Sequence, residues 1–367
     1  MKIRSILLKA FLLIMCLMML LTGCDGSDPL DASNDASVTD AVSESVAESE
    51  TKKSNIPPVT ADRDYIKYKN LWETGITVED TIDGKPITLR RVEIDIAGDG
   101  EAIKVYQITD IHFNYLNAAD QNDSAIVASS QAWKGIGDNA PIVETFKRCV
   151  AYAGDNQIVA TGDLANFYSN GNMELIERYI FDPTKNIMAV GGNHDATLAG
   201  YNTNRLKANI ASLETLFAKY NQDLSYFSKV LDNRVMLIQM DNATACDLGS
   251  PRFTEEQADK LEADLATARS KGYTVLLFYH IPMPSQSADS MENYDLGMYK
   301  SGASKEVYNI ITNNADIIKG CFAGHTHADS YSELAAKTAD GKKALIPQYV
   351  LKAMYTGTGD MIEIVLK

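Results

Sequence analysis

The chain has 367 residues, a formal net charge of −15 and five histidines. This length can fill at least one well-packed domain. The acidic balance opposes binding to long polyanions, which argues against a nucleic-acid polymer as partner. A small phosphate ester is not excluded, because bound metals can reverse the charge locally. Five cysteines without a Cys-x-x-Cys pair predict buried thiols rather than a disulfide framework.

Residues 1–23 are predicted to be a signal peptide. Three basic residues precede an apolar run from Ala10 to Leu21, which is shorter than the ~20 residues of a membrane span. The run ends in LTGC at 21–24, which resembles the bacterial lipoprotein box. That resemblance implies cleavage before Cys24, a lipid on its sulfur and an extracytoplasmic location anchored to the bacterial cell membrane. An uncleaved signal anchor is the alternative.

Residues 24–60 are predicted to be a disordered tether. From Asp25 to Thr60 the chain has seven serines, eight acidic residues and no aromatic residue. Such a stretch cannot bury enough apolar surface to offset the entropy lost on ordering. A flexible chain of this length reaches roughly 30–36 Å. It would hold residues 61–367 clear of a membrane.

Residues 61–367 are predicted to form one α/β domain. Ile76–Ile82 and Ile87–Ile96 flank the turn sequence DGKP, which predicts a β-hairpin over 76–96. Six apolar runs then alternate with helical patterns, as in α/β proteins. The runs lie at 103–108, 157–160, 186–190, 235–240, 274–279 and 317–323, and helices are expected near 140–153, 172–181, 204–220, 254–271 and 303–313.

Three further segments have specific predictions. Thr254 and Gln257 form a predicted capping box at the start of the clearest helix. Residues 344–367, two β-rich stretches around TGTGD, are predicted to form a C-terminal β-hairpin. Phe113–Ala140 and Ile281–Ala303 are long loops, and loops of this length are often functional.

Polar residues follow five of the apolar runs. In open α/β sheets, ligands bind beyond the carboxyl ends of the strands. All five histidines fall at such places, so the joint pattern indicates a site even though any single histidine could be structural. The residues are Asp110 and His112, Asp163, Asn193 and His194, His280, and His325 and His327.

The order Asp-x-His, Gly-Asp, Gly-Asn-His-Asp, His, Gly-His-x-His over residues 103–330 resembles the calcineurin-like metallophosphoesterase superfamily. The resemblance implies a four-layer α-β-β-α sandwich of two mixed β-sheets flanked by helices, with a two-metal site. It implies a first metal held by Asp110, His112 and His327. A second metal would be held by Asn193, His280 and His325, with Asp163 bridging both. His194 matches the family's histidine that faces the substrate.

The chemistry agrees with such a donor set. Carboxylate and imidazole donors without cysteine suit Mn, Fe, Zn or Ni. Two cations about 3.5–4 Å apart clamp a phosphoryl displacement and turn water into a hydroxide nucleophile. His194 would protonate the leaving oxygen or stabilise its charge. The expected activity is hydrolysis of a small phosphoric ester, and diesters or nucleotides are slightly favoured over simple monoesters because GNHD and GHTH look like the phosphodiesterase branch.

Other classes fit less well. His-x-His-x-Asp also begins the metallo-β-lactamase motif, but position 330 is Ser where that motif continues with His. Amidohydrolases carry His-x-His on an early strand. Purple acid phosphatases have a tyrosine three residues after the bridging Asp, where this chain has Asn166. A lipoprotein that binds metal or ligand without turnover is the remaining alternative, although seven donors around two metals leave open positions, as catalytic sites do.

Several residues have two interpretations. Gly162, Gly192 and Gly324 either bring the main chain close to the metals or simply end strands. Asp195 and Asp329 either orient histidines or stabilise turns. Some loop residues could contact substrate or only pack within their loops; they are Asn114, Tyr115, Trp133, Tyr294 and Tyr299.

Overall fold

The structure is a computed structural model that describes residues 76–79, 86–200, 202–245, 252–285 and 299–367. The predicted signal, tether and Cys24 lie outside these residues, as do Tyr294 and most of the loop after His280. The described residues form two six-stranded mixed sheets, and helices pack on their outer faces. The predicted four-layer sandwich is therefore confirmed. No helix in these ranges is long and apolar enough to cross a membrane.

The first sheet has the strand order β1-β2-β12-β3-β4-β5. Three parallel strands form one side of it, namely β3 (Ile103–Ile108), β4 (Gln157–Thr161) and β5 (Ile187–Val190). β1 (Ile76–Glu79) pairs antiparallel with β2 (Pro86–Ile94), as predicted for the hairpin over 76–96. β12 (Asp360–Leu366) lies between them, parallel to β2 and antiparallel to β3.

The second sheet has the order β10-β11-β9-β8-β7-β6. Four neighbouring strands of this sheet run parallel to one another. They are β7 (Val235–Met240), β8 (Thr274–Phe278), β9 (Ile318–Ala323) and β11 (Lys343–Val350). The edge strands β6 (Tyr226–Leu231) and β10 (Ser330–Lys337) are antiparallel and were not predicted. β6 is only partly buried, so it lacks the continuous apolar run that marks the central strands.

The predicted hairpin over 344–367 is wrong. Its two strands lie in different sheets, because β11 pairs with β9 and β10 whereas β12 pairs with β2 and β3. Every residue of β12 is buried, which agrees with a strand in the interior of a sheet that is covered on both faces. Residues 351–359 therefore cross from the second sheet to the first; they are called the crossing segment below.

Three apolar clusters account for the layers. One lies between the sheets and includes Val105 and Val159 from the first sheet and Leu237 and Phe278 from the second. The other two lie under the outer helices. The helices are α1 (Ser124–Ala132), α2 (Asn139–Ala153), α3 (Asn170–Leu175, continued by a π turn at Ile176–Ile180), α4 (Asn193–Ala196), α5 (Thr203–Lys219), α6 (Glu255–Lys271) and α7 (Gly302–Thr312).

The predicted helices are present within a few residues of their expected ends. The capping box is confirmed, since the Thr254 hydroxyl accepts from Gln257 N and the Gln257 side chain accepts from Thr254 N. α1 was missed, because the whole of 113–140 was predicted to be loop. Cys149 and Cys321 are buried, as predicted, and Cys246 lies outside the described residues.

Candidate metal centre

The predicted site residues meet at the carboxyl ends of strands from both sheets. The first sheet contributes four of them through the segments after β3, β4 and β5, because the ends of parallel strands lie along one edge. These are Asp110, His112, Asp163 and Asn193. The second sheet contributes three after β8 and β9, namely His280, His325 and His327. Neither sheet alone supplies a complete donor set.

One donor set surrounds Asp110 Oδ1. His327 Nε2 lies 3.2 Å from this oxygen and His112 Nε2 lies 3.8 Å from it. The two Nε2 atoms are 3.2 Å apart. Asp163 completes the set, with its Oδ2 3.6 Å from His112 Nε2. These four side chains could hold one ion.

The second donor set shares Asp163. Asp163 Oδ2 lies 3.3 Å from His280 Nε2, which is also 3.2 Å from Asn193 Oδ1 and 3.3 Å from His325 Nδ1. His280 Nδ1 donates to Thr161 O at 2.8 Å, so Nε2 is the ring nitrogen directed at the site. The other oxygen of Asp163 accepts from His194 N at 2.9 Å, so Oδ2 is the atom left between the two sets.

The main chain at the site is held in an unusual conformation. Eight non-glycine residues of the described chain have positive φ, between 48° and 72°. Three of them are Asn or Asp in turns, where this conformation is common. The other five are predicted ligands: Asp110, His112, Asp163, His325 and His327. Such residues cost about 1–3 kcal/mol each and persist where the surroundings impose them, typically at functional sites.

Two glycines permit the close approach of these segments. A Cβ on Gly192 would overlap the main chain and carboxylate of Asp163. A Cβ on Gly324 would overlap Thr109 and the carboxylate of Asp110. Of the two interpretations given above for these glycines, the structure favours close packing around the donor carboxylates over ordinary strand ends.

The buried carboxylates keep their negative charge. Burial would raise the pKa of Asp110, but contacts with His112 and His327 hold that pKa well below its usual value. The pKa of Asp163 is likewise lowered against burial by the imidazoles of His280 and His194. Burial and the neighbouring His280 lower the pKa of His325 to about 4, so this ring is neutral at pH 7. Against the effect of burial, the charges of Asp163 and Asp110 raise the pKa of His280 to about 10. A metal ion bound there would therefore take the place of a proton.

The donors fit a pair of metal ions. Asp110 Oδ1 is buried and has no hydrogen bond of good geometry among the described residues. Ligands bound at about 2.0–2.2 Å to a common ion lie about 3–3.5 Å from one another. The separations observed within the two sets run from 3.2 to 3.8 Å. The two sets overlap in Asp163, so this carboxylate could contact both ions.

His194 lies beside the donor sets without belonging to them. Its Nδ1 is 2.8 Å from Asn166 O, so Nδ1 carries the proton and Nε2 is the nitrogen left to exchange one. Its ring packs edge-on against His112 and Trp133, with centroid distances of 5.0 and 5.2 Å. The side chain is partly exposed. This position is consistent with the predicted role of facing the substrate.

Asp195 and Asp329 stabilise loops rather than histidines. Asp195 accepts from Ala165 N and Gly192 N, both at 2.7 Å. Burial and the charge of Asp163 raise the pKa of Asp195 to about 8. Asp329 accepts from Lys352 N at 2.9 Å and forms an ion pair with Arg90. Neither carboxylate bonds a histidine side chain within the described part of the chain.

The aromatic candidates separate into two groups. Tyr299 is buried and packs against Phe253 and Tyr308, so it belongs to the core. Tyr115 is 43% exposed. Of the described candidates, Trp133 is the one whose ring contacts a predicted site residue, His194.

Tyr355 was missed from the sequence. It lies in the crossing segment, where its main-chain N–H donates to Asp110 O at 3.3 Å. Its hydroxyl is 3.3 Å from His327 Nδ1, and its ring packs edge-on against His112 at 5.2 Å. No local motif marks this residue, because its place depends on the chain crossing from one sheet to the other.

Two mixed sheets between helices, with carboxylates and imidazoles gathered at the strand ends, define the class as a metallophosphoesterase-like α/β protein. The model of the calcineurin-like phosphoesterase family matches residues 103–329. The chain therefore belongs to the calcineurin-like phosphoesterase family and is a phosphoester hydrolase. This family depends on a dinuclear metal centre. The resemblance found over residues 103–330 is confirmed.

Several solved structures are similar to the chain. A dimetal phosphatase from Danio rerio is 12% identical, with a TM-score of 0.41 and coverage of 69% of this chain and 88% of that one. A calcineurin-like phosphoesterase from Bacillus subtilis is 14% identical, with a TM-score of 0.36 and coverage of 69% and 82%. A phosphopantetheinyl hydrolase from Mycobacterium tuberculosis is 12% identical, with a TM-score of 0.34 and coverage of 68% and 90%. No curated protein matches the chain.

Proposed function

We propose that the protein hydrolyses phosphoric esters at a dinuclear metal centre. The observation that carries the proposal is Asp163 Oδ2, which lies between His112 Nε2 at 3.6 Å and His280 Nε2 at 3.3 Å. One ion would be held by Asp110, His112, Asp163 and His327. The other would be held by Asp163, Asn193, His280 and His325.

The metals and the chain have different tasks. When bound, two divalent ions of the Mn, Fe, Zn or Ni class would neutralise charge on the phosphoryl group. They would also lower the pKa of water, so that hydroxide is available as the nucleophile. The chain fixes the donors on two sheets and excludes solvent behind them, since Asp110, His112, Asp163 and His280 are almost fully buried. His194, partly exposed at the mouth, is left free for the substrate.

His194 acts on the leaving group. In the reaction, a bond forms from the water oxygen to phosphorus while the bond from phosphorus to the leaving oxygen breaks. The leaving oxygen takes the Nε2 proton of the doubly protonated His194 ring, and the proton that the water releases restores this ring by way of the solvent. Asn166 O accepts from Nδ1 at 2.8 Å throughout, which keeps the ring oriented with Nε2 outward.

The proposed substrates are phosphodiesters or nucleotides, slightly favoured over simple monoesters. The support is the sequence GNHD at 192–195 with GHTH at 324–327, which looks like the phosphodiesterase branch of the family. We further propose that the protein is anchored by a lipid on Cys24 outside the cytoplasm. The support is the LTGC sequence, and mass spectrometry of the mature N-terminus would test it by finding either diacylated Cys24 or an unmodified chain.

The activity is tested on the purified protein with metals removed by chelation and added back singly. With Mn²⁺ we expect hydrolysis of bis-p-nitrophenyl phosphate, loss of the activity with excess chelator, and about two bound ions per chain in the active form. A panel of monoesters then measures the preference for diesters. Bound metal without hydrolysis of any ester in the panel would instead favour a binding protein without turnover.

A further inference from the structure

Trp133 places an indole beside the proposed acid, His194. The two ring centroids are 5.2 Å apart and the rings are inclined at 61°. Both residues are tied to Asn166, whose Nδ2 donates to Trp133 O at 3.1 Å and whose main-chain O accepts from His194 Nδ1 at 2.8 Å. Because one residue bonds both, the main chain of Trp133 is held in place relative to His194.

α1 anchors Trp133 to the loop that carries His194. Trp133 N donates to Ser129 O at 3.0 Å at the end of this helix, and Ser129 Oγ accepts from Ala199 N at 2.7 Å. At the other end, Asp123 caps the helix and pairs with Arg205 at 2.6 Å. A side chain held on an anchored helix can contribute to a binding site without the ordering cost of a free loop.

The indole still presents surface to solvent. Trp133 is stacked with Phe167, at a centroid distance of 6.2 Å and an angle of 28°, and Phe167 is fully buried. Trp133 itself is only partly buried. No hydrogen bond from its Nε1–H is observed within the described ranges. A tryptophan with its N–H unpaired at the mouth of a site is suited to contact a ligand, because buried indoles usually find a partner.

We propose that Trp133 forms the leaving-group subsite and that the site prefers esters whose leaving group carries a flat aromatic ring. This inference rests on the proposed function, because that function places the leaving oxygen at His194. An oxygen within about 2.6–3.2 Å of His194 Nε2 puts the substituent on that oxygen within reach of the indole, whose centroid lies 5.2 Å from that of His194. An aromatic substituent there can stack or pack edge-on with Trp133, which an alkyl chain cannot do. Nucleosides and aryl alcohols share this chemistry.

The kinetic test compares two phosphodiesters that differ only in the leaving group, phenyl or hexyl. The wild-type protein is compared with Trp133→Leu, which keeps apolar bulk but loses the aromatic ring, and with Trp133→Phe, which keeps a ring. We expect the ratio of kcat/KM values, phenyl over hexyl, to fall about 10-fold in Trp133→Leu and much less in Trp133→Phe. An equal loss on both esters would assign Trp133 only to the support of His194 and would overturn the proposal. A third ester with adenosine as leaving group distinguishes nucleosides from simple aryl alcohols.

A binding test does not require turnover. The chain has two tryptophans, so Trp72→Phe leaves Trp133 as the sole indole. We expect adenosine or phenol to quench the fluorescence of this variant saturably, and hexanol to have no such effect. If no ester is hydrolysed, the proposed function fails. The quenching measurement then still tests whether Trp133 forms an aromatic binding site. Absence of quenching by both aromatic ligands would overturn the inference even where esters are hydrolysed.

Discussion

Asp163 is the residue on which both donor sets depend, since its Oδ2 faces each of them. Asp163→Asn removes the charge and keeps the shape. Loss of a residue that hydrogen-bonds a metal ligand typically lowers metal affinity or activity about 10–100-fold. Loss of the shared ligand itself should therefore lower the rate at least about 100-fold. We expect bound metal to fall from two ions to one or none per chain, measured by elemental analysis after gel filtration. Asp155→Asn, at an exposed position, is the matched control.

His194 is expected to affect the chemistry without affecting the metals. It belongs to neither donor set, and its side chain bonds Asn166 O. His194→Ala should therefore retain the metal content of the wild type and lose at least about 100-fold in rate on an ester with a poor leaving group. An ester with an acidic leaving group should be much less affected. Unchanged turnover of the poor leaving group would remove the acid role from His194.

Tyr355 is expected to position His327. Its hydroxyl is 3.3 Å from His327 Nδ1, on the opposite side of the ring from the Nε2 that faces Asp110. Tyr355→Phe keeps the ring contact with His112 and removes this hydroxyl. We expect metal affinity to fall about 10–100-fold, measured by titration against a competing chelator. Tyr226→Phe, which removes a hydroxyl bonded to Asp264, should leave the affinity unaltered; equal affinities for all three proteins would exclude the positioning role.

At the scale of elements, β3 carries a polar residue into the apolar layer between the sheets. Gln107 lies on the same face of the strand as Val105, and its Nε2 donates to Thr161 Oγ1 and to Ala323 O in the other sheet, both at 2.8 Å. Gln239 on β7 makes a similar bond to Ala189 O. Each glutamine leaves its Oε1 without a hydrogen bond in the described structure. An unsatisfied buried acceptor costs about 1–3 kcal/mol, so these residues are poor choices for stability alone.

Gln107→Leu tests whether this link serves the site. Ala323 O also accepts from Leu351 N at 3.1 Å, so the substitution leaves no orphaned carbonyl there. We expect the free energy of unfolding to change by no more than about 1 kcal/mol, measured by denaturant unfolding. Metal affinity should nevertheless fall, because the carboxyl ends of β4 and β9, which precede the donors, lose their common partner. A loss of stability without any loss of metal affinity would make Gln107 an ordinary core residue.

The elements show which parts of the fold a sequence can specify. The central strands and the helices between them were predicted because each carries its own apolar period, and the donors followed from their place at strand ends. α1 was missed because its apolar face is short and mixed with serine and alanine. The pairing of β12 was missed because partner choice between strands depends on the whole sheet, not on local pattern. Tyr355 was missed for the same reason, because it lies in the crossing segment.

At the scale of the molecule, the proposed ions join the two sheets, because each donor set takes side chains from both. Removing them should therefore lower stability as a whole. A ligand at 100 times its Kd stabilises by about 2.7 kcal/mol, so excess chelator should lower the Tm by several degrees. Calorimetry with and without Mn²⁺ measures this. Asp163→Asn should show little response to chelator, and an equal response in both proteins would contradict the link.

The position of β12 in the first sheet affects how the chain can be made. This strand lies between β2 and β3 yet follows every other described strand in sequence. Until residues 360–366 have been synthesised, the facing edges of β2 and β3 have no partner. Ribosomes add about 5–20 residues per second, so the growing polypeptide cannot close this sheet until that stretch has been made. The second sheet, whose last strand in sequence is β11, can therefore be complete before the first.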